Sequence, residues 1–185
     1  MNVTKTEIDG AFIIEPKVFR DSRGYFFEFF NSKEFTEKTG LDVTFVQDNE
    51  SLSSYGVLRG LHFQLPPFSQ AKLLRCVLGR VLDVIVDIRK GSPTFGKYVM
   101  YELSEENLRM LFIPKGMAHG FCVLSDKALF QYKCDEFYHP EAENGIAWND
   151  PDIAIQWPIP IKDIILSERD KHHPYLKDFR SLFYY

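Results

Sequence analysis

Short segments rich in β-branched and aromatic residues recur along the chain, and they constrain its fold more than any other feature. Turn-forming residues such as Gly79-Arg80 and Gly91-Ser92-Pro93 separate them. Many short strands at such spacing are typical of a β-sandwich or β-barrel. The predicted strands are Gly24–Phe30, Phe45–Asn49, Val57–Gln64, Lys72–Leu78, Val81–Ile88, Tyr98–Leu103, Leu108–Ile113, His119–Leu124 and Leu129–Cys134.

One early helix interrupts this pattern. Asn31 or Ser32 can cap its start, Phe35 gives it a buried side, and Gly40 ends it. At 185 residues, without a linker or an internal repeat, the chain has the length of one domain. We therefore predict a single all-β domain over residues 1–185 with a few short helices.

The C-terminal tail, from about Asp150, is interrupted by proline and then charged. We expect it to form short helical turns packed on the barrel. Its aromatic end, Phe183-Tyr184-Tyr185, needs burial. Docking onto the same domain and a subunit interface are equally good interpretations of that end.

The net charge of -4, with both signs scattered, excludes partners that need a basic face, such as a nucleic-acid backbone. A single nucleotide is still possible, since two or three local cations suffice for a diphosphate. The three cysteines show no metal-ligand spacing and are expected to be reduced thiols of a cytoplasmic protein. No signal region or membrane-length apolar run is apparent, so no membrane partner is expected.

Two histidines lie in or beside apolar strands, His62 and His119, whereas His139, His172 and His173 lie in polar, turn-like contexts typical of the surface. A histidine in a strand is more often a core residue than a catalyst.

The neighbours of His62 change that balance, because Arg59 lies in the same apolar segment and burying an arginine is costly without an anionic partner. Strand alternation places Arg59 and His62 on opposite faces. A bulge at Gly60 could bring them to one site.

A metal site is one alternative. The segment Ile113–Phe121 resembles the second motif of the cupin barrels, a Pro-Gly turn followed by histidine. Metal-binding cupins pair that motif with a His-x-His and a carboxylate. Here the first motif offers His62 alone, followed by Phe63 and Gln64, and two histidines do not make a competent transition-metal site. We therefore predict no metal and no cofactor.

Proton chemistry is the other alternative. A histidine is a good base near neutral pH when a carboxylate orients it. Asp170 is a candidate for that carboxylate, although its context alone suggests a surface acid. Tyr132, on one strand face with Phe130 and Cys134, is either a proton donor or a core tyrosine with a satisfied hydroxyl, and its own segment favours the core interpretation.

Taken in order, these segments resemble the dTDP-4-dehydrorhamnose 3,5-epimerase family over essentially the whole chain. No single stretch suffices, but their order and spacing make chance similarity very improbable. The stretches that carry the resemblance are Glu15–Phe19, Asp21–Glu28, Phe45–Asn49, Leu58–Gln64, Val86–Arg89, Ser92–Gly96, Ile113–Phe121 and Trp148–Asp150.

The resemblance implies a metal-free cupin barrel, a double-stranded β-helix, that acts as a homodimer on a dTDP-sugar. The reaction would invert C3 and C5 of dTDP-4-dehydro-6-deoxy-D-glucose to give dTDP-4-dehydro-L-rhamnose. The family's base maps onto His62, its supporting acid onto Asp170 and its tyrosine acid onto Tyr132, while Lys72 matches the lysine near the substrate ketone. The substrate-binding positions map onto Arg23 and Arg59, at the diphosphate, and onto Glu28, Gln47, Asn49, His119, Tyr138, Glu143 and Arg169.

Two departures from the family pattern stand out. Arg169 occupies a position where family members often have lysine, and the proline-rich loop Leu65–Ser69 is more apolar than in many relatives. The same residues would also serve an epimerase that acts at C3 alone or on a GDP-sugar. A non-catalytic sugar-nucleotide binder and a metal-dependent cupin enzyme are the alternatives from other classes.

Overall fold

The computed structural model describes all residues from Met1 to Tyr185. One α-helix, α1 (Ser32–Thr39), and three short 3-10 turns at Pro140–Ala142, Ile161–Asp163 and Leu176–Asp178 accompany the strands. The strands are β1 (Asn2–Lys5), β2 (Phe12–Glu15), β3 (Val18–Asp21), β4 (Gly24–Phe27), β5 (Gln47–Ser54), β6 (Leu58–Gln64), β7 (Lys72–Leu78), β8 (Arg80–Asp87), β9 (Tyr98–Ser104), β10 (Met110–Ile113), β11 (Met117–Val123), β12 (Lys127–Cys134) and β13 (Glu143–Gly145).

Two antiparallel sheets form the body of the molecule. The six-stranded sheet has the order β1-β2-β10-β7-β12-β5, and the five-stranded sheet has the order β13-β6-β11-β8-β9. Strands β3 and β4 form a separate hairpin. This arrangement is a cupin-type jelly roll, so the predicted all-β fold with few helices is confirmed.

The main core fills the space between the two sheets. Leu74 from the six-stranded sheet and Ile85 from the five-stranded sheet are both fully buried there. Phe121 on β11 stacks on Phe130 on β12 with ring centroids 4.3 Å apart. Because these rings come from opposite sheets, their contact ties the two walls of the barrel together.

Helix α1 packs on the outer face of the six-stranded sheet. The Asn31 side chain accepts a hydrogen bond from the Glu34 amide at 3.1 Å. Gly40 ends the helix in the left-handed conformation (φ 74°). Phe35 is buried edge-on against Phe112, with centroids 5.1 Å apart. The predicted cap, buried face and terminus of this helix are all confirmed.

The tail lies over the outer face of the five-stranded sheet, where Ile153 and Leu176 join a cluster that includes Val84. Phe183 is buried there against Phe63. Tyr184 and Tyr185, in contrast, are 72% and 61% exposed. They also dock onto the same domain, since the Tyr185 amide donates to the Lys90 carbonyl and the Arg89 guanidinium lies 5.0 Å from the Tyr185 ring centroid, but only Phe183 is buried. None of the helices has the length and apolar character needed to span a membrane.

Sequence reasoning missed β1, β2, β3 and β13, which are only three or four residues long. β1 and β3 are also largely exposed, so they lack the apolar alternation that reveals a strand. The predicted strand Gly24–Phe30 was too long, since β4 ends at Phe27.

Candidate active site

A bulge in β6 brings Arg59 and His62 to one site. In the pairing with β11, His62 lies opposite His119 and Arg59 lies opposite Phe121, so β6 has one residue more than β11 between the two pairs. Gly60 takes φ 133°, and a Cβ there would lie 2.5 Å from the Gly120 Cα. The hypothesised bulge is therefore present.

Arg59 itself differs from expectation. It is exposed, and its Nε donates to the Ser53 hydroxyl at 3.1 Å. The premise that Arg59 is a buried cation in need of an anion was wrong, because the bulge turns it toward the solvent-facing rim.

His62 forms a dyad with Asp170, which comes from the tail. His62 Nε2 donates to Asp170 Oδ1, while Asp170 Oδ2 accepts from the Ser167 hydroxyl at 2.9 Å. Asp170 is only 3% exposed, so the suggestion of a surface acid was wrong. Burial alone would raise the pKa of the Asp170 carboxyl, but the close approach of His173 and the hydrogen bond from His62 hold that pKa well below its ordinary value. An ionised Asp170 fixes the proton of a neutral His62 on Nε2 and leaves a lone pair on Nδ1.

Two adjoining cavities meet at this dyad. The first, of about 430 Å³, is lined by Arg59, His62, Arg169 and Asp170, among others. The second, of about 400 Å³, is lined by His62 and by residues of the six-stranded sheet. His62 and Glu143 line both, so the cavities form one continuous cleft. The second cavity contains Gln47, Asn49, His62, Phe63, Gln64, Gln70, Lys72, Tyr132, Tyr138 and Glu143.

The second cavity has reactive groups on two opposing walls. His62 stands on β6 of the five-stranded sheet, whereas Lys72 and Tyr132 stand on β7 and β12 of the six-stranded sheet. Strands β7 and β12 are direct neighbours, with Tyr132 paired to Leu74 and Cys134 paired to Lys72. A flat ligand in this cavity would therefore have the imidazole on one side and the phenol on the other.

Lys72 is a half-buried cation without an ion pair. The Lys72 ammonium makes no side-chain or backbone hydrogen bond. Its Nζ lies 5.8 Å from the centroid of the Tyr132 ring. Burial lowers the pKa of the Lys72 ammonium, while the negative charges of Asp83 and Glu143 oppose that shift. An ammonium in this state is available to an anion that develops in the cavity.

Tyr132 lines the same cavity, and its hydroxyl makes no hydrogen bond within the chain. The interpretation as a core tyrosine with a satisfied hydroxyl is therefore wrong. Burial raises the pKa of the Tyr132 phenol, with the positive charge of Arg59 opposing part of the shift. The phenol is protonated at neutral pH and can donate its proton.

Polar side chains surround the dyad at the mouth of the cleft. Arg169 forms an ion pair with Glu143, which also accepts from the Tyr138 hydroxyl at 2.5 Å. Gln47 and Asn49 are joined by a 3.0 Å hydrogen bond. All five of these predicted site residues line the cleft.

Three predicted substrate-binding residues do not line the cleft. His119 lies beside His62 in the sheet but is buried, and its Nε2 is 2.9 Å from Asp83 Oδ2. Arg23 lies at the tip of the β3–β4 hairpin, with its side chain 88% exposed and paired to Asp21. Glu28 is exposed beside helix α1, where it accepts from Asn31 at 3.0 Å.

Sequence reasoning placed His173 on the surface, which was wrong. The side chain is only 10% exposed and its ring lies edge-on to that of His62, with centroids 5.6 Å apart. The ring also packs on Gly145, where an added Cβ would come within 2.5 Å of it.

Ser167 was also missed, although the Ser-x-x-Asp spacing of Ser167 and Asp170 is a signal typical of a capping motif. Asp83 could have been suspected as well, since it interrupts the apolar run Val81–Ile85.

Comparison with known proteins identifies the family. A family model described as dTDP-4-dehydrorhamnose 3,5-epimerase matches residues 5–178. The chain belongs to this family. The suspected resemblance is thereby confirmed over nearly its whole length.

Individual members of the dTDP-4-dehydrorhamnose 3,5-epimerase family are similar throughout. The enzyme of Shigella flexneri is 59% identical over 92% of this chain and 93% of its own. The crystal structure of the Elizabethkingia anophelis enzyme superimposes with a TM-score of 0.93 at 54% identity, over 96% of this chain and 97% of that one. A dTDP-6-deoxy-D-glucose-3,5-epimerase of Legionella pneumophila was solved in complex with dTDP-4-keto-L-rhamnose. It superimposes with a TM-score of 0.93 at 49% identity, over 97% of this chain and 94% of that one.

Proposed function

We propose that this protein inverts C3 and C5 of dTDP-4-dehydro-6-deoxy-D-glucose to give dTDP-4-dehydro-L-rhamnose. The observation that carries the proposal is the pair of opposing walls, with His62 on one sheet and Tyr132 and Lys72 on the other, around one cavity. Inversion at a carbon requires proton removal on one face and proton delivery on the other. A base and an acid on opposite walls meet that requirement.

The substrate's ketone makes the reaction possible. The hydrogens on C3 and C5 are both adjacent to the C4 carbonyl, so loss of either proton leaves an enolate. An unaided imidazole cannot form that enolate in water at a useful rate. A cation placed at the enolate oxygen stabilises the charge as it develops and lowers the barrier by about 3–4 kcal/mol per good donor. The unpaired ammonium of Lys72 is the group that supplies it.

The proton transfers follow from the dyad geometry. His62 Nδ1 carries the lone pair and removes the proton, while Asp170 holds the ring through Nε2 and stabilises the imidazolium that forms. Tyr132 then donates its phenolic proton to the opposite face of the same carbon. The phenolate regains a proton from solvent and His62 releases its own, so the enzyme returns to its initial state. A second cycle at the other carbon completes the epimerisation.

The remainder of the cleft binds the nucleotide portion. Arg59 and Arg169 line the first cavity and provide charge-assisted hydrogen bonds for a diphosphate. In the free protein Arg169 is held by Glu143, so substrate binding exchanges one anionic partner for another. The polar side chains of Gln47, Asn49, Tyr138 and Glu143 are available to the sugar and the base.

We further propose that the enzyme works as a homodimer in the cytoplasm. Arg23 and Glu28 line neither cavity of their own chain, and a second copy that presents its β3–β4 hairpin would bring them to the substrate. The three cysteines are all unpaired and buried, in keeping with a reducing compartment. His119 lines neither cavity, and we assign it an indirect part, in which it sets the charge near Lys72 together with Asp83.

Incubation with dTDP-4-keto-6-deoxyglucose in heavy water tests the proposal. We expect deuterium at both C3 and C5, and no deuterium with the His62→Ala variant. Label at C3 alone would indicate a monoepimerase. A parallel incubation with the GDP-linked sugar examines the nucleotide preference.

Two outcomes would contradict an enzyme of this kind. Tight binding without any exchange would indicate a non-catalytic binder. Loss of activity on treatment with a chelator would indicate a metal-dependent enzyme.

A further inference from the structure

We propose that His62, Asp170 and His173 together bind a divalent transition-metal ion of the Zn²⁺ type. We further propose that the bound ion switches off the base. The second part rests on the proposed function, whereas the metal site itself stands on the geometry alone.

The three side chains offer one ligand atom each in a compact group. One ligand atom from each of His62, Asp170 and His173 lies within 4.8 Å of the other two. His173 Nε2 is 3.6 Å from Asp170 Oδ1. Ligands on a tetrahedral zinc ion, at roughly 2.0–2.2 Å from the metal, are about 3.3–3.6 Å apart. His173 Nε2 and Asp170 Oδ1 already have this spacing. An ion would replace the hydrogen bond between His62 Nε2 and Asp170 Oδ1 and move these two atoms apart to the same spacing.

His173 Nε2 is an unpartnered atom directed at this group. The side chain is nine-tenths buried, and Nε2 makes no hydrogen bond, since Asp170 Oδ1 at 3.6 Å lies just beyond hydrogen-bond distance. Buried polar atoms without a partner are rare because they forfeit their hydrogen bonds to water. The ring is held by its contact with Gly145, which leaves no room for a side chain at that position. A metal ion would give this nitrogen the partner that it lacks.

The charges and ligand types at the site suit a transition metal. Asp170 is the one carboxylate of the group, and it lies within reach of both imidazoles. Two imidazoles and one carboxylate favour Zn²⁺, Co²⁺ or Ni²⁺ over Mg²⁺ and Ca²⁺, which prefer oxygen. The first cavity is lined by both His62 and Asp170, and it offers an entry path and space for a fourth ligand such as water.

Occupancy of this site would remove the base. A neutral His62 that donates from Nε2 to the Asp170 carboxylate has its lone pair on Nδ1. A neutral imidazole has only one N–H proton, so a metal on Nε2 forces that proton onto Nδ1. The atom that removes the substrate proton then has no lone pair. Metal binding and epimerisation should exclude each other.

Cobalt is a suitable probe, because Co²⁺ with nitrogen and oxygen ligands absorbs visible light whereas Zn²⁺ does not. We expect metal-stripped protein to take up one equivalent of Co²⁺ with visible bands, and Zn²⁺ to displace it. His173→Asn should weaken Zn²⁺ binding, measured by calorimetry, at least ~10-fold, since even changes in residues that only support a ligand cost ~10–100-fold in affinity. His172→Asn is the matched control, because that neighbouring histidine is exposed and directed elsewhere.

The proposal is overturned if wild-type protein shows no Co²⁺ bands, or if His173→Asn binds Zn²⁺ as tightly as the wild type. Equal affinity would assign the metal to another pair, such as His119 with Asp83. A thermal melt checks that His173→Asn is folded, and His173→Gln replaces it if it is not.

The activity measurement separates this proposal from the proposed function. One equivalent of Zn²⁺ should abolish heavy-water exchange in the wild type, and a chelator should restore it. Absence of exchange in metal-free protein would overturn the proposed function, while the Co²⁺ spectrum would still test the site. Full activity with Zn²⁺ bound at His173 would refute the switch.

Discussion

Replacement of Lys72 by methionine separates the catalytic importance of this residue from its effect on stability. The structure places an ammonium without an ion pair in the second cavity, close to the Tyr132 ring. Methionine keeps most of the apolar stem but removes the charge. If Lys72 stabilises the enolate, the substitution should lower kcat strongly without destabilising the fold.

The kinetic magnitude follows from the role as an oxyanion donor. Loss of one such donor costs about 2.7–4 kcal/mol of transition-state stabilisation, which corresponds to a roughly 100- to 1000-fold lower kcat. KM should change much less, because the ketone oxygen acquires its charge only as the proton leaves.

Whereas Lys72→Met should lower kcat, it should not lower the stability of the folded protein. The folded protein holds the Lys72 proton less tightly than the unfolded chain does, because burial lowers the pKa of this ammonium. The charged group therefore opposes folding below its folded-state pKa, and that opposition disappears as the pH rises above the unfolded-state value of about 10.4. Lys72→Met should have a Tm at or above that of the wild type at pH 7. The difference should shrink toward pH 10.

Heavy-water exchange by NMR and a thermal melt on the same samples measure both effects. Lys127→Met on β12 is the control, since that lysine is exposed at the start of the strand and lines neither cavity of the cleft. It should retain wild-type kcat. A Lys72→Met protein with less than a tenfold loss of kcat, or with a clearly lower Tm, would refute the reasoning.

Three further predictions concern single substitutions. Tyr132→Phe should still exchange the proton that faces His62 but should not form the inverted sugar, and NMR product analysis that finds normal inversion would exclude Tyr132 as the acid. Asp170→Asn should lower kcat about 10- to 150-fold in steady-state assays, since hydrogen bonds to charged groups are worth about 1.5–3 kcal/mol; an unchanged kcat would refute the dyad. Burial alone would raise the pKa of the Asp87 carboxyl, but hydrogen bonds from Arg89, Ser92 and Thr94 outweigh it and lower that pKa. Asp87 therefore stabilises the folded protein above pH ~4, and this stabilisation is lost as the pH falls through the folded-state pKa. Asp87→Asn should destabilise the protein by about 3–5 kcal/mol at pH 7 in urea unfolding, and by less at low pH; a loss independent of pH would contradict this.

Features that depend on neighbours along the chain were predictable. β7 was predicted with its observed limits, and the cap, buried face and end of helix α1 were found because each depends on residues within a few positions. The bulge at Gly60 was likewise a local hypothesis, since a glycine between two polar residues of a strand is a local signal.

The candidate site was predictable only as a set of residues. The resemblance to the family indicated His62, Lys72, Tyr132 and Asp170, and all four line the cleft. The exposure of Arg59, the burial of Asp170 and the position of His173 were misjudged. In each case, burial is decided by elements that are remote in sequence, and a local pattern contains no information about them.

The sequence by itself therefore determined the strand-rich fold class and the helix limits, because turn chemistry, capping and periodicity act over short distances. The candidate reactive side chains came from its resemblance to the family. Only the tertiary structure decided that imidazole and phenol face each other from different sheets, and that a tail residue 108 positions away supports His62. Such contacts arise when strands pair and sheets pack, and they are set by the burial of apolar surface across the whole domain.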